Sequence, residues 1–317
     1  MVATSIRLTL ILTAASSLGL AFQADGPLIP RLLRKDSIPP VDLRVDVPLV
    51  QIPVHVTTAL GASVTNLRAE SFHVFEDGVE QRITHFSSED APISIGMLVD
   101  TSGSMRNKIR KSSEAAAAFF KTANADDEFF LVEFNDRPKL SVPFTRDSEE
   151  LYKRIVHTKP MGRTSLLDAI HMAMVQMKTA KNLRKAIVIF SDGGDNRSRY
   201  TESEIKSAMR EADVQVYAMG IFDPDDVPKK TPEERNGPKL LDELAEDTGG
   251  RHYPVNDLDE LPAVCEKIGA ELRYQYMLGY APSSEFDDDS GYRRVKVLVP
   301  APFRVHHRTG YAAAGSR

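Results

Sequence analysis

The sequence predicts a doubly wound α/β domain, its mostly parallel sheet flanked by helices, together with a smaller antiparallel β module. Three observations predict it. Residues 93–99, 129–134, 186–190 and 214–221 are short, nearly continuous apolar runs rich in Val, Ile and Phe, as in strands buried on both faces of a parallel sheet. Helical stretches fall between them at 105–124, 148–157, 165–180 and 202–213, and strands alternating with helices imply right-handed crossovers. On both sides of this unit the apolar residues switch to period two, the mark of strands with one solvated face.

The first 24 residues hold one basic side chain, Arg7, no acidic one, and an apolar run at 8–15. That run is too short for a bilayer crossing of about 20 residues. Gly19 and Ala21 present small side chains where a signal peptidase reads, so residues 1–21 read as a secretory signal, with an uncleaved anchor as the alternative. Residues 22–41, with Pro27, Pro30, Pro39 and Pro40 beside Arg31, Arg34 and Lys35, read as a linker. In the N-terminal β segment, 42–90, Val45, Val47 and Leu49 alternate, and after a change of phase so do Ile52, Val54 and Val56. Pro48 and Pro53 confine this strand to an edge or mark a bulge. Asp77-Gly78, between strand-like halves of 72–83, predicts a tight hairpin, because both central positions of such a turn want positive φ.

Within the α/β stretch, 91–272, a helix at 238–247 stops at Gly249-Gly250. The last helix, 258–273, puts Leu261, Val264, Cys265, Ile268 and Leu272 on one face, which makes Cys265 a small core hydrophobe. Alternation returns in the C-terminal β segment, 273–314: Tyr274, Tyr276, Leu278 and Tyr280, then Val295, Val297 and Val299, then Phe303 and Val305. The acidic loop Asp287 to Asp289 reads as a solvated turn, with a calcium site as the sharper alternative. His306 and His307 fall on opposite faces of a strand and cannot both face one metal.

Composition narrows the function. With 42% hydrophobic and 27% charged residues in 317, the chain has the apolar material for a sizeable core. Its 40 basic and 45 acidic side chains leave a net charge of -5, no field for nucleic acid. A single cysteine excludes an intramolecular disulfide, and no Cys/His cluster has the spacing of a zinc site.

In doubly wound sheets ligands bind beyond the carboxyl ends of the strands, so the residues following each apolar run carry the chemistry. Asp100-Thr101-Ser102-Gly103-Ser104 follows the first run, Ser191-Asp192-Gly193 follows the third, and Gly162-Arg163-Thr164 opens the helix between them. Asp100, Ser102 and Ser104 are spaced i, i+2, i+4, and Gly103 lets the loop curl so that their oxygens converge. Thr164 adds a hydroxyl and Asp192 a second negative charge. Hard oxygens on three loops suit Mg2+, which takes about six oxygen ligands, often only one or two of them carboxylates. Mn2+ or Ca2+ are the alternatives. Asp195 reads as a turn residue, and Met172, Met174 and Met177 as core.

Asp100-x-Ser102-x-Ser104, Thr164 and Asp192 together resemble the metal ion dependent adhesion site of a von Willebrand factor type A domain, over roughly residues 91–272. The resemblance implies that the serines and threonine contact the ion directly or through water and the aspartates mostly through water. It also implies an open coordination position for a carboxylate, Asp or Glu, of a protein partner. It further implies that the domain's two ends emerge together opposite the metal face, so the β segments are expected to pack as one module. The flanks, Phe72-x-Val74-Phe75-Glu76-Asp77-Gly78 and Leu272 to Tyr280 with Arg308-Thr309-Gly310-Tyr311, resemble secreted von Willebrand A related proteins of the acidobacterial type. The function expected is therefore a secreted or periplasmic protein-binding module that is not an enzyme and has no membrane insertion after signal cleavage. A metal-assisted hydrolase is disfavoured because no His accompanies the three loops and no Gly-x-Ser-x-Gly elbow occurs. A scaffold of a chelatase-like assembly is disfavoured by the N-terminal signal.

Overall fold

The computed structural model of the chain describes residues 49–222, 235–283 and 291–312. The signal, the linker, the start of the first alternating run and the loop 287–289 lie outside them. The first strands are β1 (Val50–Thr57), β2 (His73–Glu76), β3 (Val79–Gln81) and β4 (Ile83–Ser87). The α/β unit then runs β5 (Ile93–Asp100), α1 (Ile109–Phe120), β6 (Glu128–Phe134), β7 (Pro138–Thr145), α2 (Ser148–Val156), α3 (Leu166–Met177) and β8 (Arg184–Ser191). It continues through α4 (Glu202–Glu211), β9 (Gln215–Ile221), α5 (Gly237–Thr248), β10 (His252–Val255) and α6 (Leu261–Arg273). Four strands close the chain: β11 (Tyr276–Tyr280), β12 (Tyr292–Leu298), β13 (Arg304–His306) and β14 (Gly310–Ala312).

The expected α/β architecture is the one observed. Six strands line up as β10-β9-β8-β5-β6-β7, parallel except for β7. Every residue of β5, β6 and β9 is buried, because helices cover both faces: α1, α2 and α6 on one, α3, α4 and α5 on the other. Cys265 packs on the first face, where burial pushes its thiol pKa well up; Met174 and Met177 are buried on the second and Met172 is partly so.

The flanking strands build two four-stranded sheets, β13-β1-β11-β4 and β14-β12-β2-β3, each mixing strands from before and after the α/β unit. Ile52, Val54, Val74, Leu278 and Val297 fill the space between them. Buried Glu76 ties the layers, accepting the hydroxyls of Tyr280 at 2.7 Å and Tyr311 at 2.6 Å. Between β2 and β3, Asp77 and Gly78 take φ of 49° and 85°, the turn their sequence demands.

Several expectations need correction. β1 is an interior strand, yet Pro53 sits where only β11 pairs with it, opposite Met277, since β13 joins at His55 to Thr57. At Pro53 β1 is thus locally an edge on its β13 side, the setting in which a strand tolerates proline. Tyr274 is not in a strand; it caps α6 and is exposed. The helix expected from residue 105 begins at Ile109, after a 3-10 turn at Gly103–Met105. β7 and β10 were not anticipated: β7 carries two prolines and is half exposed, and β10 is four residues containing Pro254.

The two units meet at a polar seam. Arg273 pairs with Asp127 and, at 3.2 Å, with Asp90. Glu271 accepts from Arg251 at 2.6 Å and from the Tyr253 hydroxyl, and its other oxygen stands 3.7 Å from Nδ1 of fully buried His55. His55 stacks on His306, and His307 accepts the N–H of Val297 through Nε2 at 3.1 Å.

Candidate metal centre

Asp100 ends the central strand β5, so its carboxylate emerges at the carboxyl edge of the sheet with no exposed surface. Three hydrogen-bond features shape the loop around it. Ser102 N–H donates to Asp100 Oδ1 at 2.8 Å, Ser191 Oγ donates to Oδ2 at 2.7 Å, and the hydroxyls of Ser102 and Ser104 lie 3.0 Å apart. Ser102, Thr164 and Asp192 are almost entirely buried, whereas Ser104 is exposed. The set is closed on three sides and open at Ser104.

The Thr164 loop is bound to the Asp100 loop through its backbone. Gly103 N–H donates to Gly162 O at 3.0 Å, and Met161 N–H donates to Thr101 O at 2.8 Å. On the other side Thr164 N–H donates to Asn196 Oδ1 at 3.0 Å, and Asn196 N–H returns a bond to Thr164 O at 3.1 Å. The structure thus gathers all five anticipated residues at one edge of the sheet.

Burial, and then the charge of Asp192, push the Asp100 pKa up to about 7, although bonds from Ser102 and Ser191 favour its ionised form. Burial and the nearby Asp192 charge both raise the cost of ionising Asp100, and a cation beside the two carboxylates would offset that cost. Hydroxyls beside them supply the neutral hard oxygens that an alkaline-earth ion takes. Among the described residues no group of three or more His, Cys, Asp or Glu side chains converges on one point, so soft or imidazole-loving metals are not favoured. The residues present fit Mg2+ or a similar hard ion.

Sequence reasoning missed the supports. Asp195, expected as a turn residue, does form a turn to Arg197 and Ser198, and also accepts the N–H of Leu167 at 2.9 Å, anchoring the first turn of α3. Asp168 reciprocates, accepting the backbone N–H groups of Arg199 at 2.8 Å and Tyr200 at 3.2 Å. Asp136 accepts Arg163 N–H at 3.0 Å. Buried Lys108 donates to Ile221 O at 3.1 Å, fastening α1 to the end of β9. The Ser191-Asp192 pair, a hydroxyl beside an acid at a strand end, was the one signal in sequence. A histidine does stand nearby: His157 shares a groove with Thr101, although its Nδ1 is 2.7 Å from Lys153 O.

Gly193 lets the loop turn at φ 76°, and a Cβ there would come within 2.7 Å of the Gly237 backbone at the start of α5. Gly78 has a similar φ of 85° but open space around it. Gly193→Ala is therefore expected to cost about 3 kcal/mol and Gly78→Ala about 1. Urea unfolding of both checks this; equal costs would mean that the contact with Gly237 is slack.

Residues 95–194 match the family model of the von Willebrand factor type A domain. The chain carries a von Willebrand factor type A domain. An uncharacterized protein of Borreliella burgdorferi is 25% identical over 199 residues, 56% of this chain and 57% of that protein. The match thus spans little more than half of the relative's length. Among solved structures, a von Willebrand factor type A protein from Catenulispora acidiphila is 12% identical, with 86% of this chain and 76% of that chain covered at a TM-score of 0.50. The conserved hypothetical protein BatB from Bacteroides thetaiotaomicron is 18% identical, with 56% and 98% covered at a TM-score of 0.45. The loops that carry Asp100, Thr164 and Asp192 lie within the matched residues, and no helix among the described residues is long and apolar enough to cross a membrane.

Proposed function

We propose that the chain is a metal-dependent protein-binding module of the adhesion type, working outside the cytoplasm after its N-terminal signal is removed. Asp100, Ser102, Ser104, Thr164 and Asp192 would hold a divalent ion, Mg2+ first, and a carboxylate of the partner would bind at its open side. The observation that carries this reading is the arrangement of Asp100: a wholly buried carboxylate beside Asp192, with hydroxyls on one side and the exposed Ser104 on the other. Domains of this family mediate protein interactions. An ion held by few protein charges keeps Lewis acidity, and exchange of its water for a carboxylate gives a charge-assisted contact in a dry setting.

The test is capture of protein partners on the immobilised chain in Mg2+ and in EDTA, with Asp100→Ala in parallel. Capture is expected only for the wild type with the ion. A partner held equally well in EDTA and by Asp100→Ala would overturn the reading.

A further inference from the structure

A groove of about 410 Å3 leaves the metal face at Thr101 and runs between the β6–β7 turn and the end of α2. Its walls carry Arg137, Lys139, Arg154, His157 and Lys159. The acid in its floor, Glu133, is buried and already spent: Arg154 Nε donates to it at 2.6 Å, and Ser141 and Thr158 donate their hydroxyls. Arg137, Lys139 and Lys159 are exposed and make no ion pair among the described residues. This lies on a chain whose net charge is -5, so the positive groove is a local feature. Arg163 and Arg197, exposed on the neighbouring loops, extend the same sign around the face. Asp136 is the exposed acid nearby, with one oxygen engaged by the Arg163 N–H.

We infer that this groove receives an acidic polypeptide segment, the part of the partner that flanks the carboxylate bound at the ion. The inference rests on the reading of the A domain as a carboxylate-binding module and specifies its ligand. Two features favour a polypeptide over an acidic polysaccharide. β7 is the outermost strand of its sheet and its first residues, Pro138 and Lys139, line the groove, so its unpaired edge starts there and can receive an extended chain, which a sugar polymer cannot match in register. Side chains along an extended segment recur about every 3.3 Å on alternating sides, a spacing that brings successive carboxylates to successive cations. Rim charges of this kind set partner choice and association rate.

The test uses the full chain and three fluorescent probes: a peptide of alternating Glu and Ser, the same peptide with Gln for Glu, and an oligogalacturonate of matching charge. Affinities are measured in Mg2+ and in EDTA, at low and high salt, for the wild type, for Asp100→Ala and for Arg137→Glu with Lys159→Glu. The Glu peptide is expected to bind, to weaken about tenfold or more in the charge-reversed variant, and to lose affinity with salt. The Gln peptide and the oligogalacturonate are expected to bind far more weakly. Equal binding of the Glu peptide by wild type and reversed variant overturns the groove, as does equal binding of the oligogalacturonate. Binding that survives EDTA and Asp100→Ala but falls on charge reversal keeps the groove while the ion reading fails, so the two are separable. Arg137→Gln with Lys159→Gln serves if the reversed variant does not fold.

Discussion

In saturating Mg2+ the chain is expected to melt about 5–10 °C higher than in EDTA, and Asp100→Ala is expected to erase the difference. An ion at a hundred times its dissociation constant stabilises by about 2.7 kcal/mol, and each kcal/mol raises the melting point of a unit this size by about 2–4 °C. In EDTA any advantage of the wild type over the variant should shrink as pH rises through 7. The reason is the sign of the Asp100 shift: burial and Asp192 raise its pKa to about 7. A raised carboxyl contributes stability that is complete below its unfolded value, near 4, and is lost as pH climbs through 7. The metal-free wild type therefore weakens over that window and Asp100→Ala does not. Protons and ion compete for the same oxygens, so Mg2+ affinity should fall as pH drops below 7, by up to about tenfold per unit. Calorimetry at several pH values reads both effects. An unmoved melting point in Mg2+, Mn2+ and Ca2+ alike would sink the ion.

Mild acid is expected to weaken the fold through the seam between the two units. Burial, with the charges of His306, Arg251 and Lys267, lowers the His55 pKa to about 3, and burial with Arg251 and His307 lowers that of His306 to about 4. The 3.7 Å approach of Glu271 would favour a proton on His55, but that carboxyl is itself shifted up by burial and its other oxygen is engaged by Arg251 and Tyr253. A histidine with a lowered pKa contributes stability that is present above the unfolded value, near 6.5, and is lost as pH falls toward the folded value. Each such group adds about 1.4 kcal/mol per pH unit to the slope. Asp100 and Glu271, shifted the other way, offset part of it. His55→Gln should therefore flatten the stability profile between pH 6 and 4 by about 1.4 kcal/mol per unit, whatever it does to stability at pH 7. An unchanged slope would mean that His55 takes up its proton in the folded state.

What could be read from sequence was whatever repeats locally. Continuous apolar runs marked β5, β6, β8 and β9 because both faces of those strands are covered. Asp77-Gly78 marked its hairpin because few other pairs tolerate that turn. β7 escaped, since its prolines and half-exposed residues break both templates. At the site, the i, i+2, i+4 spacing of Asp100, Ser102 and Ser104 was visible within one loop. The hold of Ser191 on Asp100, of Asp195 on α3 and of Asp136 on the Arg163 backbone spans many residues, and no local pattern encodes it. The positive groove was equally invisible, because its charges come from a turn, the start of a strand and the end of a helix.

The strand that leads into the A domain, β4, and the strand that leaves it, β11, are hydrogen-bonded neighbours, Leu278 lying opposite Phe86. The domain is thus tethered by a double stem. A force applied at the far edge of the α/β sheet divides between two strands already zipped to each other. Tension drawn along the chain from its flanking segments crosses from one to the other within the β module and bypasses the α/β domain. Built this way, the α/β domain can be anchored and strained without being pulled open.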